Sequence, residues 1–265
     1  MSKIPSRDVL KEDFGWEIPV ESLPLPSRGV IYSQDSYLYG KEQIQIKAMT
    51  AQEEDILTSA AYAKENVVIE KLLESCIVDK NIDVKELISG DKTALMVGIR
   101  ITGYGPEYPV SAVCTSCMRK SSVEVRLDQL EIKRFKHPPV EEGKNLFEFT
   151  LPVTNKKIKF KYQNYYDTKE RDDIQKKYES LGIIKENKMT DILERAIVSI
   201  DDITDKTKIS HFVKHMPIKD SSSLRKFIFD NEPGIDMSWK YNCPVCTAEN
   251  NIKIPMTSEF FWPST

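Results

Sequence analysis

The stretch WKYNCPVCTAENNIKIP (residues 239–255) carries Cys243 and Cys246 at the spacing C-x-x-C, followed by an alternation of polar and apolar residues. Two intervening residues let a chain turn tightly enough for both sulfurs to reach one ion, but two sulfurs make only half of a closed site. The other half is Cys114-Thr-Ser-Cys117, far upstream. The pattern around the two pairs repeats. A β-like approach (PVSAV, SWKYN) leads into C-x-x-C, then a polar turn, then an alternating strand (SVEVRL, NIKIPM). Two such knuckles facing each other bring four thiolates into a tetrahedron, the closed arrangement that structural zinc prefers.

That reading predicts one Zn2+ held by Cys114, Cys117, Cys243 and Cys246, in a zinc ribbon assembled from both halves of the chain. Arg119, Lys120 and Lys240 lie next to the knuckles, where they can offset the net negative charge of four thiolates on a dication. An iron–sulfur cluster and a pair of redox dithiols are the competing uses of the same cysteines. A redox dithiol favours one pair at a helix start in a βαβ unit, whereas here two matched pairs lie between strands. A four-sulfur site leaves no coordination position open for catalysis. Because it joins distant segments, metal binding is expected to be coupled to folding.

The chain has 265 residues, 40% hydrophobic and 30% charged, with a formal net charge of -3. This suits a globular protein with a core, and it counsels against a dedicated nucleic-acid binder, which would carry a basic surplus. No apolar run is long enough to span a membrane. The N-terminus lacks the apolar stretch of a secretory signal and the Arg-rich character of a transit peptide. The expected setting is a reducing cytoplasm, where cysteines bind metal more readily than they form stable disulfides.

The alternation of Leu and Pro in LPLPSRGVIY (23–32) predicts extended backbone. A loose tail is one reading of this segment; the apolar residues Trp16, Ile18, Leu23 and Leu25 favour an arm docked on its own domain or on a neighbour. EQIQIKAMT (42–50) reads as a strand, and Thr50 with Glu53 as a capping box that starts a helix over 50–65. Further helices are expected over 66–78, with Asn66 as its cap, over 91–105, and over 168–182, 190–200, 209–215 and 222–230. FEFTLPV and KKIKFKY read as short strands. The expectation is an α+β protein, mainly helical with short antiparallel β segments. It divides into an extended arm and first strand (1–45), a helical unit (46–105), a zinc-ribbon unit with an aromatic tail (106–130 plus 238–265), and an inserted β and helical segment (131–237).

Several residues invite chemistry without its context. His211 and His215 share a helix face, but no third ligand accompanies them. Cys76 lies among Leu72, Leu73, Ile77 and Val78, as a small buried hydrophobe does. Lys157, Lys159 and Lys161 form one face of a strand and can meet a phosphate backbone, although exposed strand lysines commonly serve solvation and edge protection. There is no Gly-rich phosphate loop and no nucleophile elbow.

Residues 224–263 read in order as a helix (LRKFIFD), an EPG turn (Glu232, Pro233, Gly234), a knuckle, an alternating strand and a terminal FFWP. Near the other end, LPSRGVIY is followed by IQIKAMTAQEEDIL and then the Cys114–Cys117 knuckle. This order resembles the baseplate hub and hub-assembly proteins of T-even-like contractile-tailed bacteriophages. The resemblance implies a virion-morphogenesis protein with other baseplate hub and tail proteins as partners. It implies no small-molecule substrate and no enzymatic activity, and a place in the host cytoplasm during assembly or in the tail baseplate. Phe260, Phe261 and Trp262, together with Leu23 and Leu25, are candidate anchors in a partner's pocket; the alternative use of the aromatics is to cover the protein's own core. The competing function is a zinc-ribbon module that binds nucleic acid or accompanies transcription.

Overall fold

Strand β1 (Val20–Pro24) pairs antiparallel with β2 (Gln43–Lys47), placing Leu23 opposite Ile44. Ile44 and Ile46 of β2 are buried while Gln43 and Gln45 are exposed, the period of two expected of a half-buried strand. These elements come from a computed structural model of the chain, which describes residues 9–65, 67–169, 188–256 and 260–261. A short helix α1 (Val9–Phe14) precedes β1.

After β1 the chain turns through Arg28 and Gly29, both at left-handed φ (54° and 70°). Gly29 is required there, because a Cβ would sit 2.4 Å from the Leu38 carbonyl oxygen. Ser27 and Tyr32 bring the turn onto Asp91. Its carboxylate accepts from the Ser27 amide at 2.8 Å, the Ser27 hydroxyl at 2.5 Å and the Tyr32 hydroxyl at 2.6 Å. The extended Leu-Pro segment is thus docked on its own domain, and Leu25 is fully buried.

The capping box at Thr50 forms and starts α2 (Ala51–Thr58). The expected helix over 50–65 breaks at Ser59 into α2 and α3 (Ala60–Glu65). Helix α4 (Val68–Cys76) buries Leu72, Leu73 and Cys76; its expected cap, Asn66, lies outside the described residues. Helix α5 (Ser89–Tyr104) is the element that aligns the rest. Asp91 in its first turn holds the Ser27 loop, and its last turn ends at Gly105 with φ 81°.

Next come the hairpin β3 (Glu107–Val113) and β4 (Lys120–Arg126), a 3-10 turn (Leu127–Gln129), and β5 (Ile132–Lys133). Strands β6 (Phe147–Thr150), β7 (Lys157–Phe160) and β8 (Ile197–Ile200) form a three-stranded antiparallel sheet. The expected helix over 190–200 is realised only as α6 (Lys188–Ala196). Ile197, Val198 and Ile200 instead continue as β8, because β-branched side chains fit the pleated edge of β7 better than a helix turn. Most of the helix expected over 168–182 falls outside the described residues.

Helix α7 (Lys206–His215) and helix α8 (Ile218–Asn231) follow. Both ends of α8 are tied down. Asp220 accepts from the amides of Val153 and Thr154, and Asn231 accepts from those of Lys136 and His137. The EPG turn then leads into β9 (Gly234–Ile235), which pairs with β5. The last hairpin is β10 (Ser238–Asn242) with β11 (Glu249–Lys253). The fold is a mixture of helices and short antiparallel strands. Its main core joins Leu25, Ile46, Leu72, Leu95, Phe147, Phe160, Leu224 and Phe260.

Candidate metal centre

The two C-x-x-C pairs occupy the tips of the two hairpins, β3–β4 and β10–β11. Each tip is built the same way. The Cys114 amide donates to the Arg119 carbonyl (3.0 Å) and the Met118 amide to the Cys114 carbonyl (3.0 Å). In the second tip the Cys243 amide donates to Ala248 and the Thr247 amide to Cys243, both at 2.9 Å. Met118 and Thr247, each one residue after the second cysteine, both adopt left-handed φ (58° and 60°). Two side chains that ordinarily avoid this region adopt it at matched positions, so the turn geometry is imposed by what the cysteines must do.

The four sulfurs converge. Cys114 Sγ lies 3.7 Å from Cys246 Sγ, and Cys117 Sγ lies 3.8 Å from Cys243 Sγ. All four lie within 4.8 Å of one another, and no two are joined as a disulfide. Cys114 and Cys243 are buried; Cys117 and Cys246 are partly exposed. The Cys117 amide, followed by the Ser116 amide, favours the thiolate of Cys114 and brings its pKa down to about 6. The Cys246 and Val245 amides lower Cys243 in the same way. Amides aimed at sulfur favour the anion, whereas at Cys117 the Arg119 amide is outweighed by burial and the neighbouring cysteines, which push the thiol up to about 11, so four thiolates can stand together here only around a cation. This donor set can hold one metal ion.

A side chain that sequence reasoning missed completes the arrangement. Asn250 on β11 is buried, and its amide nitrogen donates to Cys114 Sγ at 3.4 Å and to the Ala248 carbonyl at 2.8 Å. Its oxygen accepts from the Thr115 amide and hydroxyl, both at 2.9 Å. One residue of the second hairpin therefore locks the first knuckle. Arg119, Lys120 and Lys240 form no ion pair among the described residues. Behind the tips, Ala112, Val123 and Tyr241 pack with Trp239 and Ile252 as a small core of their own.

Both hairpins are placed by α5. At its first turn Gly90 meets the EPG turn so closely that a Cβ would lie 1.8 Å from the Pro233 carbonyl oxygen. At its last turn the buried Arg100 donates to the carbonyls of Gly105 (2.9 Å) and Glu107 (3.4 Å), where β3 begins. Arg100 Nε also donates to the Phe260 carbonyl at 2.9 Å, and the Phe260 ring meets Tyr108 edge-on at 5.2 Å.

The proposed anchors fall as follows. Leu25, Phe260 and Phe261 are buried in the chain's own core, and Leu23 packs partly buried against Gly98 of α5. Burial of the two phenylalanines is the covering role that the sequence left open; anchoring a partner with them would require undocking. Trp262 lies outside the described residues. Burial pushes the Cys76 thiol up to about 12, as an inert core residue requires. His211 and His215 stack at 4.3 Å, exposed, and join no third ligand among the described residues. Lys157, Lys159 and Lys161 pair with Glu148, Asp202 and Asp167, respectively. Among the described residues, no helix is long and apolar enough to cross a membrane.

A family model described as T4 bacteriophage base plate protein matches residues 31–262. No curated protein and no solved structure matches the chain.

Proposed function

As the chain belongs to the T4 bacteriophage base plate protein family, we propose that it acts in the central hub of the tail baseplate, as a hub component or as a factor that assembles the hub, through contacts with other baseplate and tail proteins. The family match across residues 31–262 carries the baseplate reading. The order of the LPSRG turn, the two knuckles and the EPG turn supports the hub assignment.

We assign the metal as one structural Zn2+. A tetrahedron with metal–sulfur bonds of ~2.3 Å has edges of ~3.8 Å, and the cross-knuckle sulfur pairs lie 3.7 and 3.8 Å apart. With four protein ligands no position is left for water or substrate, so the ion shapes the fold and performs no chemistry. The role is a non-enzymatic one, played in the host cytoplasm during assembly and at the tail baseplate. Binding of nucleic acid is disfavoured by the formal charge of -3 and by the ion pairs that occupy the strand lysines.

Quantitative mass spectrometry of purified particles and of infected-cell extracts tests this reading. A few copies per particle make the protein a built-in hub component. Absence from particles, with association to hub proteins in extracts, makes it an assembly factor that leaves. Absence from both refutes the baseplate role.

A further inference from the structure

A cleft of about 430 Å3 opens between the turn after β1 and the segment after β5. Arg28, Arg134 and Lys136 line it, opposed by a single acid, Glu142. The cleft is thus basic on a chain whose formal charge is -3. Its apolar surface comes from Pro26, Phe135 and Pro139.

Arg28 is the residue that needs explaining. It holds a left-handed φ of 54°, a conformation that costs a side-chain-bearing residue about 1–2 kcal/mol. Asn or Gly would meet the demands of the turn with less strain. The side chain is exposed and makes no hydrogen bond or ion pair among the described residues. Nothing described inside the chain uses this guanidinium. Arg134, half-buried, donates one N–H to the Leu25 carbonyl, which fixes its plane. Burial, and after it the charge of Arg28, disfavours its charged form, and the carboxylates of Asp91 and Glu42 offset only part of this. Two guanidiniums that repel one another over an apolar floor are complementary to one carboxylate, which both can bind in the planar, two-pronged manner of arginine.

We propose that this cleft seats an extended acidic segment of another baseplate protein, with an Asp or Glu carboxylate held between Arg28 and Arg134. The proline and phenylalanine floor receives the apolar neighbours of that carboxylate, a use that a free phosphate or a nucleic-acid backbone does not have. The inference rests on the baseplate reading and adds to it a surface and the chemistry of the partner.

The test uses tagged full-length protein produced during infection, with capture and quantitative mass spectrometry of the known baseplate proteins. Arg28→Asn keeps the left-handed turn and removes the charge; Arg28→Glu reverses it; Glu142→Gln on the same rim is the control. Capture of one baseplate protein should fall about ten-fold with Arg28→Asn and be abolished by Arg28→Glu. Glu142→Gln should retain it, with melting temperatures alike in all four proteins. Phage carrying Arg28→Glu should regain growth through an Asp or Glu to Lys change in the captured protein. Equal capture by wild type and Arg28→Glu overturns the cleft while leaving the baseplate role standing. Failure of the wild type to capture any baseplate protein overturns both. Loss of self-association alone in Arg28→Glu, read by sedimentation, also overturns the proposal, since the occupant is then a second copy.

Discussion

Replacing Cys243 with serine asks how much of the fold depends on the metal. Cys243 is buried at the second hairpin tip and faces Cys117 across the cluster. Serine keeps the size but stays protonated at neutral pH, so the cluster loses one of its four sulfur donors. An ion there would bind two distant segments of the folded chain and not the unfolded one, so it would stabilise by linkage, by about 4 kcal/mol at free zinc roughly 1,000 times its Kd. The β5–β9 pairing, the Gly90–Pro233 contact and the Arg100–Phe260 hydrogen bond hold the same segments in the native state. These contacts do not depend on the ion, so its loss should destabilise the fold rather than abolish it. At about 2–4 °C per kcal/mol for a chain of this size, the melting temperature should fall by roughly 10 °C. The assay is a circular-dichroism melt of wild type with and without chelator, beside Cys243→Ser and Cys76→Ala, with metal content measured by mass spectrometry. Wild type and Cys76→Ala should each carry one zinc, Cys243→Ser none. Chelated wild type should melt near Cys243→Ser, which separates metal loss from the cost of a buried hydroxyl. A wild-type protein stripped of all zinc that melts at an unchanged temperature refutes the reasoning.

Three other outcomes are expected. Burial alone would raise the Glu53 carboxyl, but Ser75, Thr50 and Lys47 outweigh it and hold it at about 2, against an ordinary 4.5. Its contribution is whole above pH 4.5 and is lost as the pH falls toward 2. It is at most about 3 kcal/mol, and Glu53→Gln should flatten this part of an acid-denaturation curve. Asn250→Ala should weaken zinc binding about 10–100-fold in competition with a chromogenic chelator, while one zinc still binds at saturation; unchanged affinity removes Asn250 from the site. Gly90→Ala forces a Cβ onto the Pro233 carbonyl and should destabilise by about 3 kcal/mol in urea titration, whereas an unaltered midpoint would show that α5 and the EPG turn can move apart.

The sequence announces the four-cysteine cluster because knuckle chemistry is local. Spacing, turn and flanking alternation all lie within a few residues, so both halves can be recognised and matched without knowing the path between them. Asn250 is a different matter. An asparagine after a polar turn reads as loop chemistry, and its real partners, Thr115 and the Cys114 sulfur, belong to the other half of the chain. Arg100 escapes for a similar reason. It sits in an apolar helix as an apparent interruption, and its carbonyl acceptors are set by where the chain ends up. The break between α6 and β8 shows the limit of periodicity: the TDILERA run is helical in pattern, and only the free edge of β7 draws Ile197–Ile200 into a strand.

The same geometry explains why Phe260 is a core residue. Among the described residues no carboxylate hydrogen-bonds the buried Arg100, so its charge is met chiefly by three backbone carbonyls and by the faces of Tyr104 and Tyr108 at 5.0 and 5.9 Å. One of those carbonyls belongs to Phe260, which cannot leave without stripping a hydrogen bond from a buried cation. Phe260 is delivered there by the chain leaving β11, one strand of the second knuckle hairpin, while the other two carbonyls lie at the entrance to the first. The sulfur cluster at the hairpin tips and the guanidinium at their base therefore clamp the same pair of hairpins from opposite ends. Phe260 is a third member of that clamp, held by its carbonyl on Arg100 and by its ring on Tyr108.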